Sequence, residues 1–578
     1  MLDLVLAGGD VVDGSGAPRR RADVGVRDGR IVSIGHIDDA AMRTVDVTGQ
    51  VVAPGFVDVH THYDAQALWD PYCTPSPLHG VTTVLGGNCG FTIAPLGVAE
   101  VHRSDVDYVM RMMARVEGIP LPSLEGGPAW DWRTFGEFLD RFEGRLGVNA
   151  GFLVGHSTLR RIVMGDTATH SIASHEQIAA MVQLAHDAMH EGALGFSSSL
   201  GEAHTDGDGA PVPSRASTHD ELLALAGAVR DHEGTSLEFI AAMGVIPDDR
   251  IELMTQMSLA ANRSLNWNLL GSLSPTPVYA QQLRSCDHAR EHGAHVVALA
   301  LPDLMRMRAH RVIEDMPGWR DVVQLTPTER LVAIADPGVR QRLRDGVAEA
   351  AQRGMGAVTN FDLLEIAEAP PGREHLVGRS IADLAGERSV DPVDVLIDVV
   401  LPDRLPLTLV FPSLEPQLGT TDAGWAARAA VWHDDRVVLG GSDAGAHTDL
   451  LCHANYTTCL LSETVRERGL FTLEEAIRQI TDVPAQLYGL RERGRIEVGW
   501  HADLVVFDPA TVASEPTRSR FDLPAGGERV YAEAVGVSHV FVNGHEIVVD
   551  GALTGALPGT VLRSGVHTRT VSVPGGAR

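Results

Sequence analysis

The middle of the chain alternates short apolar runs with helical patterns, and this alternation constrains the fold more than any other feature of the sequence. Eight runs have the character of strands: FVDVHTH (56–62), TTVLGG (82–87), NAGFLVGH (149–156), ALGFSSSL (193–200), TSLEFIA (235–241), SLNWNLL (264–270), HVVALAL (295–301) and RVVLGGSDAG (436–445). Strands that alternate with helices predict an α/β fold, a parallel (β/α)8 TIM-like barrel, with its active site at the C-terminal strand ends. A further apolar run, LTLVFP (407–412), leaves the strand count open.

Both ends of the chain have a different pattern, in which apolar and polar residues alternate between turns rich in Gly and Asp. The first 53 residues contain LDLVLAGG and DVGVRDGRIVSIG, and the C-terminal part contains ADLVVFDPATV and VSHVFVNGHEIVVDG. This alternation is typical of antiparallel strands. Since neither piece has enough core to fold alone, we expect one small β-sandwich domain built from both termini.

These two patterns predict the domains. Residues 1–54 and 490–578 are expected to form the two parts of the β-sandwich, and residues 55–489 the barrel. Residues 302–390 are a long, mostly helical interruption after a late strand. An insertion at this position is expected to fold as a lid over the barrel mouth.

The charge of the chain excludes two classes of partner. Its 578 residues include 76 acidic and 47 basic residues, which gives a formal net charge of −29. Nucleic acids and anionic membranes both require a basic footprint, so neither is expected as a partner. Because the chain opens with MLDLVLAGGD and has no run of 18 apolar residues, we expect a cytoplasmic protein. The five cysteines are too sparse for a disulfide framework.

His60 and His62 end the first predicted strand. Side chains alternate across a strand, so both imidazoles point to the same face, roughly 6–7 Å apart along the chain. Two imidazoles on one face at the end of a buried strand can bind one divalent metal. Because a lone HxH motif is more often a surface pair without a metal, the surrounding sequence has to decide between the two interpretations.

Two further strand ends carry candidate functional groups. Cys89 follows the second strand in GGNCGF, where glycines leave room for a metal ion, and as a thiolate it would bind zinc well. The alternative is a buried, inert thiol. Asp443 follows the eighth strand in GGSDAGAH, where it can accept a proton from a water at the metal and deliver it to a leaving amine. The alternative is an N-cap of the next helix.

The sequences of these motifs resemble those of a known family. VVAPGFVDVHTHYD (51–64) is similar to the first barrel strand of the amidohydrolase superfamily, and HGVTTVLGGNCGFTIAP (79–95) is similar to the N-acyl-D-amino-acid deacylases, or D-aminoacylases. Similar segments from VEGIP (116–120) to GRIEVGWHADLVVFDP (494–509) extend the resemblance over essentially the whole chain. The resemblance implies that His60, His62 and Cys89 are metal ligands and that Asp443 is catalytic.

His156, in LVGHSTLR, has two interpretations that the sequence leaves open. It can be a residue of the barrel mouth that assists catalysis, for example by stabilising the oxyanion. It can equally be a core histidine whose nitrogens are both hydrogen-bonded.

The metal ligands depart from the family pattern on the fifth and sixth strands. The superfamily generally has a histidine at each of these strand ends, whereas this chain has Glu238 and Asn268. The chain also contains no lysine, so the carboxylated lysine that bridges two metals in many amidohydrolases is impossible here. We therefore expect one tight zinc site rather than two. Its ligands would be His60, His62 and Asp443, with Cys89 or Glu238 completing the set. The alternative for Glu238 is an ion pair with an arginine at the mouth.

The residues that would contact the substrate also differ from the family. The lysine that follows the sixth-strand histidine of the deacylases aligns near Leu270, and their arginine after the eighth strand is missing from AGAHTDLLCHANY. Since these cations would hold an amino-acid carboxylate, a standard N-acyl-D-amino acid is not expected as the substrate. The candidate substrate contacts are Asn268, Trp267, Arg215 and His447. For Trp267 and Arg215 the alternatives are a core tryptophan and an ordinary loop arginine.

These features predict an enzyme, a metal-dependent hydrolase of a linear amide, in which Asp443 acts as general base and then as general acid. One alternative is a cyclic amidase, lactonase or deaminase with the same site. Another is a metal-poor protein that binds a small molecule without turnover. The expected partner is a small-molecule amide, and the acyl group, the stereochemistry and the formation of a homo-oligomer stay open.

Overall fold

The structure, a computed structural model, describes residues 1–97, 102–271, 276–309, 313–352 and 359–574. Its strands are β1 (Leu2–Val11), β2 (Arg20–Arg27), β3 (Arg30–Gly35), β4 (Ala41–Asp46), β5 (Val51–Pro54), β6 (Phe56–Asp58), β7 (Val81–Gly86), β8 (Asn149–Phe152), β9 (Val154–Gly155), β10 (Gly195–Ser199), β11 (Ser236–Ile240), β12 (Leu265–Trp267), β13 (Val296–Ala300), β14 (Met305–Arg308), β15 (Leu364–Ile366), β16 (Leu407–Phe411), β17 (Val437–Leu439), β18 (Leu504–Phe507), β19 (Ala513–Ser514), β20 (Arg518–Leu523), β21 (Gly527–Tyr531), β22 (Ala534–Val535), β23 (Val537–Val542), β24 (His545–Val549) and β25 (Ala552–Leu553). The α-helices span His102–Val116, Leu121–Gly126, Phe135–Asp140, His156–Met164, His175–His190, His219–Val229, Asp248–Ala261, Tyr279–Gln282, Arg284–Glu291, Arg320–Val323, Pro327–Ala335, Pro337–Gln352, Ile381–Arg388, Pro392–Val395, Asp422–Trp432, Tyr456–Cys459, Leu473–Ile480 and Asp482–Leu487.

In the described part of the chain, eight parallel strand positions form a closed barrel. β6, β7 and β8 pair in this order, and β9, β10, β11, β12, β13 and β17 form the second arc. Leu153 alone separates β8 from β9, so these two short strands occupy one position in the ring. Thr61 and Ala444 pair in a parallel bridge that joins the ends of β6 and β17 and closes the ring. The predicted barrel is therefore confirmed.

The barrel strands are buried on both faces, which is why they occur in the sequence as continuous apolar runs. β7, β10, β11 and β13 have no exposed residue. The surrounding helices cover the outer face with one apolar side, and several of them begin at a residue whose side chain caps the helix. The helix His175–His190, for example, begins at a capping box on Ser174 and buries Met181, Ala185 and Met189.

Strands from both chain ends form one nine-stranded sheet. Its order is β25-β24-β23-β18-β5-β1-β2-β3, and β4 pairs with β1 outside this path. β1 pairs with β4 along its first half and with β5 at its end, so the sheet branches there. The two branches share an apolar core to which Val24, Leu504 and Phe541 contribute. This core needs residues from both termini.

The last described residues depart from the predicted C-terminal domain. After β25 the chain leaves the sheet and lies against the barrel, where Leu562 N donates a hydrogen bond of 2.8 Å to Ala150 O. The Leu562 side chain is buried in one cluster with Leu85 and Leu299 of the barrel strands. The C-terminal part therefore divides into a sheet portion and a tail that lies against the barrel. The sequence of the tail has no strand pattern, and we did not predict its contact with the barrel.

The insertion after β13 also differs from the prediction. It contains a three-stranded antiparallel sheet with β16 between β14 and β15, and it extends well past residue 390. The additional apolar run is the central strand of this sheet, because a buried antiparallel strand and a barrel strand have the same apolar pattern. Trp319, Leu343 and Ile397 belong to a core of its own. The insertion reaches the loop after β17, where Arg308 N donates a hydrogen bond of 2.6 Å to Leu450 O.

Among the described residues, the structure contains no helix that is long and apolar enough to span a membrane. All five cysteines are free and buried.

Candidate metal centre

The seam that closes the barrel brings the first and the eighth strand together at their C-terminal ends. Asp443 N donates a hydrogen bond of 3.1 Å to His60 O, and His62 N donates one of 2.7 Å to Ala444 O. Gly445 permits this close approach, because its φ is +91° and an added Cβ would lie 2.7 Å from His62 O. As a result, Asp443 Oδ1 lies 3.3 Å from Nε2 of both His60 and His62.

Cys89 joins these groups from the end of the second strand. Its Sγ lies 3.3 Å from His60 Nε2 and 3.7 Å from His62 Nε2. One ligand atom from each of His60, His62 and Cys89 lies within 4.8 Å of the other two. Bonds of about 2.0–2.3 Å to a tetrahedral zinc ion place neighbouring ligand atoms about 3.3–3.8 Å apart. The spacing of the cluster therefore fits a metal ion.

Buried carboxylates surround the cluster without a compensating arginine. Asp58, Asp64, Glu117 and Glu238 are at most 2% exposed. In the parts of the chain that the structure describes, neither these four residues nor Asp443 form an ion pair with an arginine. Burial raises the pKa of Asp58 and Asp64 to about 6 and that of Glu238 to about 8. Because a buried group of carboxylates is costly unless protons or a cation neutralise it, the surroundings favour a bound cation.

The ionisation of Asp443 and His62 shows the same preference for positive charge. Burial opposes the charged form of Asp443, but the close contacts of its carboxylate with the His60 and His62 imidazoles outweigh burial and hold the pKa of Asp443 well below its usual range. Burial likewise lowers the pKa of His62, yet the carboxylates of Glu117 and Asp443 raise it to about 10. The cluster therefore attracts positive charge, and a metal ion would satisfy this demand.

Some buried polar atoms of the cluster have no hydrogen-bond partner among the described residues. They include Asp443 Oδ1, Glu238 Oε1 and Asn268 Oδ1. Since an unsatisfied buried acceptor is costly, such atoms often mark the position of an ion or a water molecule. Asp443 Oδ1, which faces both imidazoles, is placed as a metal ligand would be.

Glu238 and Asn268, which stand where histidines are usual in the superfamily, lie beside the cluster. Glu238 Oε2 accepts a hydrogen bond of 2.7 Å from Cys89 N, and Oε1 lies 4.0 Å from His60 Nδ1. Asn268 Nδ2 lies 3.3 Å from His60 Nε2. Glu238 thus holds the cysteine loop, and within the described residues the alternative of an ion pair with an arginine does not occur.

His156 lies in the core and not at the barrel mouth. Its Nδ1 is 2.8 Å from Ser198 Oγ, and its Nε2 is 2.8 Å from Glu221 Oε1, which also accepts from Arg160. Both ring nitrogens are engaged, so no N–H remains for an oxyanion. This placement corrects the catalytic interpretation in favour of the core alternative.

Trp267 is likewise buried, at 1% exposure, and packs against Cys286 of the helix Arg284–Glu291. The alternation of side chains along a strand explains this position. Because Asn268 faces the cluster of candidate ligands, its neighbour Trp267 has to face the helix layer. The prediction of a substrate contact by Trp267 is corrected accordingly.

The mouth of the site is lined by histidines. His447 Nε2 lies 3.7 Å from Asp443 Oδ2, and 34% of its side chain is exposed. His204, which the sequence did not distinguish from other loop histidines, lies 2.8 Å from Ser199 Oγ and packs edge-on against Phe91. Burial and the nearby charge of His447 lower the pKa of His204 to about 4. Arg215 donates a hydrogen bond of 3.0 Å to His204 O, so its guanidinium supports this loop.

Glu117 is a site residue that the sequence reasoning missed. It follows the helix His102–Val116 and is distant in sequence from any barrel strand. In the structure, however, its Oε1 lies 3.3 Å from His62 Nδ1. The only signal in the sequence was the segment VEGIP, which resembles the deacylases without indicating a role.

A closed parallel barrel with two histidines, a cysteine and an aspartate at its C-terminal strand ends defines the class of metal-dependent barrel hydrolases. Comparison with known proteins makes the assignment more specific. Residues 43–548 match the Amidohydrolase family, and the chain belongs to this family. It is accordingly an enzyme that acts on carbon–nitrogen bonds other than peptide bonds.

The similarity to individual relatives covers nearly the full chain. A D-aminoacylase from Alcaligenes xylosoxydans xylosoxydans is 32% identical in an alignment of 574 positions that covers 97% of this chain and 97% of the relative. An N-acyl-D-aspartate deacylase from the same organism is 29% identical over 97% of this chain and 95% of the relative. A solved D-aminoacylase with a binuclear metal centre is 27% identical, with a TM-score of 0.64 over 97% of this chain and 100% of that one. The resemblance seen in the sequence motifs is therefore confirmed.

Proposed function

We propose that the protein hydrolyses the amide bond of a small N-acyl compound with one tightly bound zinc ion. The observation that carries the proposal is the convergence of His60 Nε2 and His62 Nε2 on Asp443 Oδ1, at 3.3 Å each, beside the thiol of Cys89. The proposed ligands are His60, His62, Cys89 and Asp443. A zinc ion held there would polarise the amide carbonyl as a Lewis acid and make a water molecule more acidic.

Three features favour one metal ion over two, although a solved relative has a binuclear centre. Glu238 and Asn268 replace two imidazoles, and an asparagine amide is a weak ligand for zinc. Glu238 is already bonded to Cys89 N through Oε2. The chain also has no lysine that could be carboxylated to bridge two ions.

Asp443 is suited to carry the proton, because its two oxygens have different surroundings. Oδ1 faces the two imidazoles, whereas Oδ2 faces the mouth and lies 3.7 Å from His447 Nε2. About a quarter of the side chain is exposed (25%), while His60 and His62 are at most 1% exposed. A substrate entering the mouth would therefore meet Asp443 first. Its Oδ2 would accept the proton of the attacking water and return it to the leaving nitrogen.

The substrate is proposed to lack the usual anchor of an N-acyl-D-amino acid. Leu270, at the position near which the deacylases have a lysine, is 2% exposed and apolar. The groups that face Asp443 from the mouth include His447 and His204, neither of which is a permanent cation. Arg215 is engaged with the His204 carbonyl. An acyl amide without an α-carboxylate, or with a carboxylate placed elsewhere, fits these surroundings better.

The test combines metal analysis with a substrate panel. The purified protein would be analysed by ICP-MS and assayed against N-acyl-D- and N-acyl-L-amino acids, N-acyl amines, cyclic amides and lactones. We expect about one zinc per chain and turnover of linear amides that chelation abolishes and zinc restores. Turnover of cyclic amides or lactones alone would indicate a cyclic amidase or lactonase and refute the linear-amide assignment. Metal content below about 0.3 per chain, without loss on chelation, would support a binding protein and refute the proposal.

A further inference from the structure

The segment that follows the helix His102–Val116 contacts both halves of the proposed metal centre. We propose that Glu117 is a positioning residue, which holds the His62 imidazole in the orientation needed for metal binding, and that Glu117 and Gly118 tie this ligand to the loop after the eighth strand. This inference rests on the proposed zinc site and assigns a role to a residue outside the barrel strands.

The two nitrogens of His62 face different carboxylates. Nε2 lies 3.3 Å from Asp443 Oδ1, on the side of the proposed ion, and Nδ1 lies 3.3 Å from Glu117 Oε1. A carboxylate at the second nitrogen of a metal-binding histidine keeps the proton on that nitrogen and leaves the other lone pair free for the metal. It also fixes the rotation of the ring. Glu117 occupies this position with 2% exposure.

Three other buried carboxylates near the cluster accept hydrogen bonds from a backbone N–H or a hydroxyl group, and the contact of Glu238 Oε1 with His60 Nδ1, at 4.0 Å, is longer than that of Glu117 with His62. Asp64 accepts a hydrogen bond of 3.0 Å from Gly87 N, and Glu238 accepts one of 2.7 Å from Cys89 N. Asp58 accepts one of 2.5 Å from Ser442 Oγ. Within the described residues, the one ion pair of Glu117 is the contact with His62. We therefore explain the buried carboxylate of Glu117 by its role in orienting the His62 imidazole.

The backbone of the same segment holds the loop that carries Asp443. Glu117 O accepts a hydrogen bond from His447 N, and Gly118 O accepts one of 2.9 Å from Thr448 Oγ1. Gly118 has a φ of +64°, and an added Cβ would lie 2.9 Å from Asp449 Oδ1 and 3.2 Å from His447 Cα. The two segments are therefore in close contact, so residues 117 and 118 contact both a proposed ligand of the first strand and the mouth loop after the eighth strand.

The experiment removes the carboxylate of Glu117 and keeps its size. The variant is Glu117→Gln, and the readouts are the zinc dissociation constant from competition with a chelator and the melting temperature of the metal-free protein. We expect zinc affinity to fall by roughly 10–100-fold, as for other partners of metal-binding histidines. The melting temperature of the metal-free protein should stay the same or rise, because the variant no longer buries a carboxylate without an arginine.

Glu221→Gln is the matched control, because Glu221 forms the other buried pair with a histidine. Glu221 Oε1 lies 2.8 Å from His156 Nε2, remote from the proposed ligands, and Glu221 also pairs with Arg160. This control should lower the melting temperature of the metal-free protein and leave zinc affinity unchanged. The spectrum of bound Co²⁺ should change in Glu117→Gln and remain that of the wild type in Glu221→Gln.

Zinc affinity of Glu117→Gln within twofold of the wild type, with an unchanged Co²⁺ spectrum, would overturn the inference. A loss of affinity that only parallels a lower melting temperature would assign Glu117 a purely structural role and overturn it as well. Failure of the wild type to bind zinc would instead refute the proposed function, so the two failures are distinguishable.

Discussion

Asp443→Asn separates the acid–base role of this residue from its role as a ligand. The oxygen that lies 3.3 Å from the two imidazoles can be kept by the asparagine carbonyl, which has the same reach as the carboxylate. The second position, which faces His447 at 3.7 Å, becomes an amide NH2 that cannot accept a proton. The variant therefore removes the proposed proton carrier and retains one oxygen ligand.

The size of the effect follows from these two roles. Loss of a general acid–base group costs about 10²–10⁴ in rate, or about 2.7–5.4 kcal/mol at about 1.36 kcal/mol per tenfold. Since the proton moves in the transition state, kcat and kcat/KM should fall together. His60, His62 and Cys89 still lie within 4.8 Å of one another, so zinc content should remain near that of the wild type.

The assay is steady-state turnover of the best amide in the panel, with zinc measured on the same samples. Asp208→Asn is a suitable control, because this exposed carboxylate pairs with Arg111 at the surface. Turnover of Asp443→Asn within threefold of the wild type at full zinc content would refute the proton-carrier role. A rate loss that merely follows zinc loss would show that Asp443 acts as a ligand alone.

Three further predictions concern a ligand, a buried histidine and a corrected assignment. Cys89→Ala should lower zinc occupancy, measured by ICP-MS after dialysis, because its thiol lies 3.3 Å from His60 Nε2; unchanged occupancy would remove Cys89 from the ligand set. Burial lowers the pKa of His79 to about 4, below its unfolded value of about 6.5. As the pH falls, the unfolded state therefore binds a proton before the folded state does. The stability that this histidine contributes above pH 6.5 is then lost as the pH falls toward 4. The shift corresponds to about 3 kcal/mol, and His79→Gln should flatten the melting temperature between pH 7 and pH 4.5, whereas an equally steep profile would contradict the assignment. Trp267→Phe should lower the melting temperature and leave KM within about twofold, since Trp267 packs against the helix layer; a large rise in KM at unchanged stability would restore its role in substrate binding.

The replacement of a histidine by Glu238 at the end of the fifth barrel strand need not abolish activity. Glu238 stands where the superfamily has an imidazole, yet it is bonded to the backbone of Cys89 and so helps to place the thiol. In the proposed site, Glu238 therefore supports the ligand Cys89 through its backbone N–H. Comparison of zinc stoichiometry in this protein and in a binuclear relative would test this view.

The amino-acid sequence by itself determined the barrel, the contribution of both termini to one sheet, and the strand ends at which the chemistry lies. These features are local: a period of two along a strand, an apolar run between turns, and the short motifs around His60, Cys89 and Asp443. The parity of positions along a strand, which assigns alternate residues to opposite faces, also shows that Asn268 and Trp267 cannot both face the cluster. Parity decides which residues share a face, but it does not decide which face is the inner one.

Only the tertiary structure decided the rest, because it depends on contacts between segments that are distant in the chain. The apolar run at 407–412 has the pattern of a barrel strand, and its partners place it in the insertion. His156 could have reached the mouth, and Ser198 and Glu221 hold it in the core. Glu117 has no local signature at all: a glutamate after a helix becomes a partner of His62 because the first and eighth strands close the ring beside it. Packing, rather than any pattern of residues, places that carboxylate beside the proposed metal ligand.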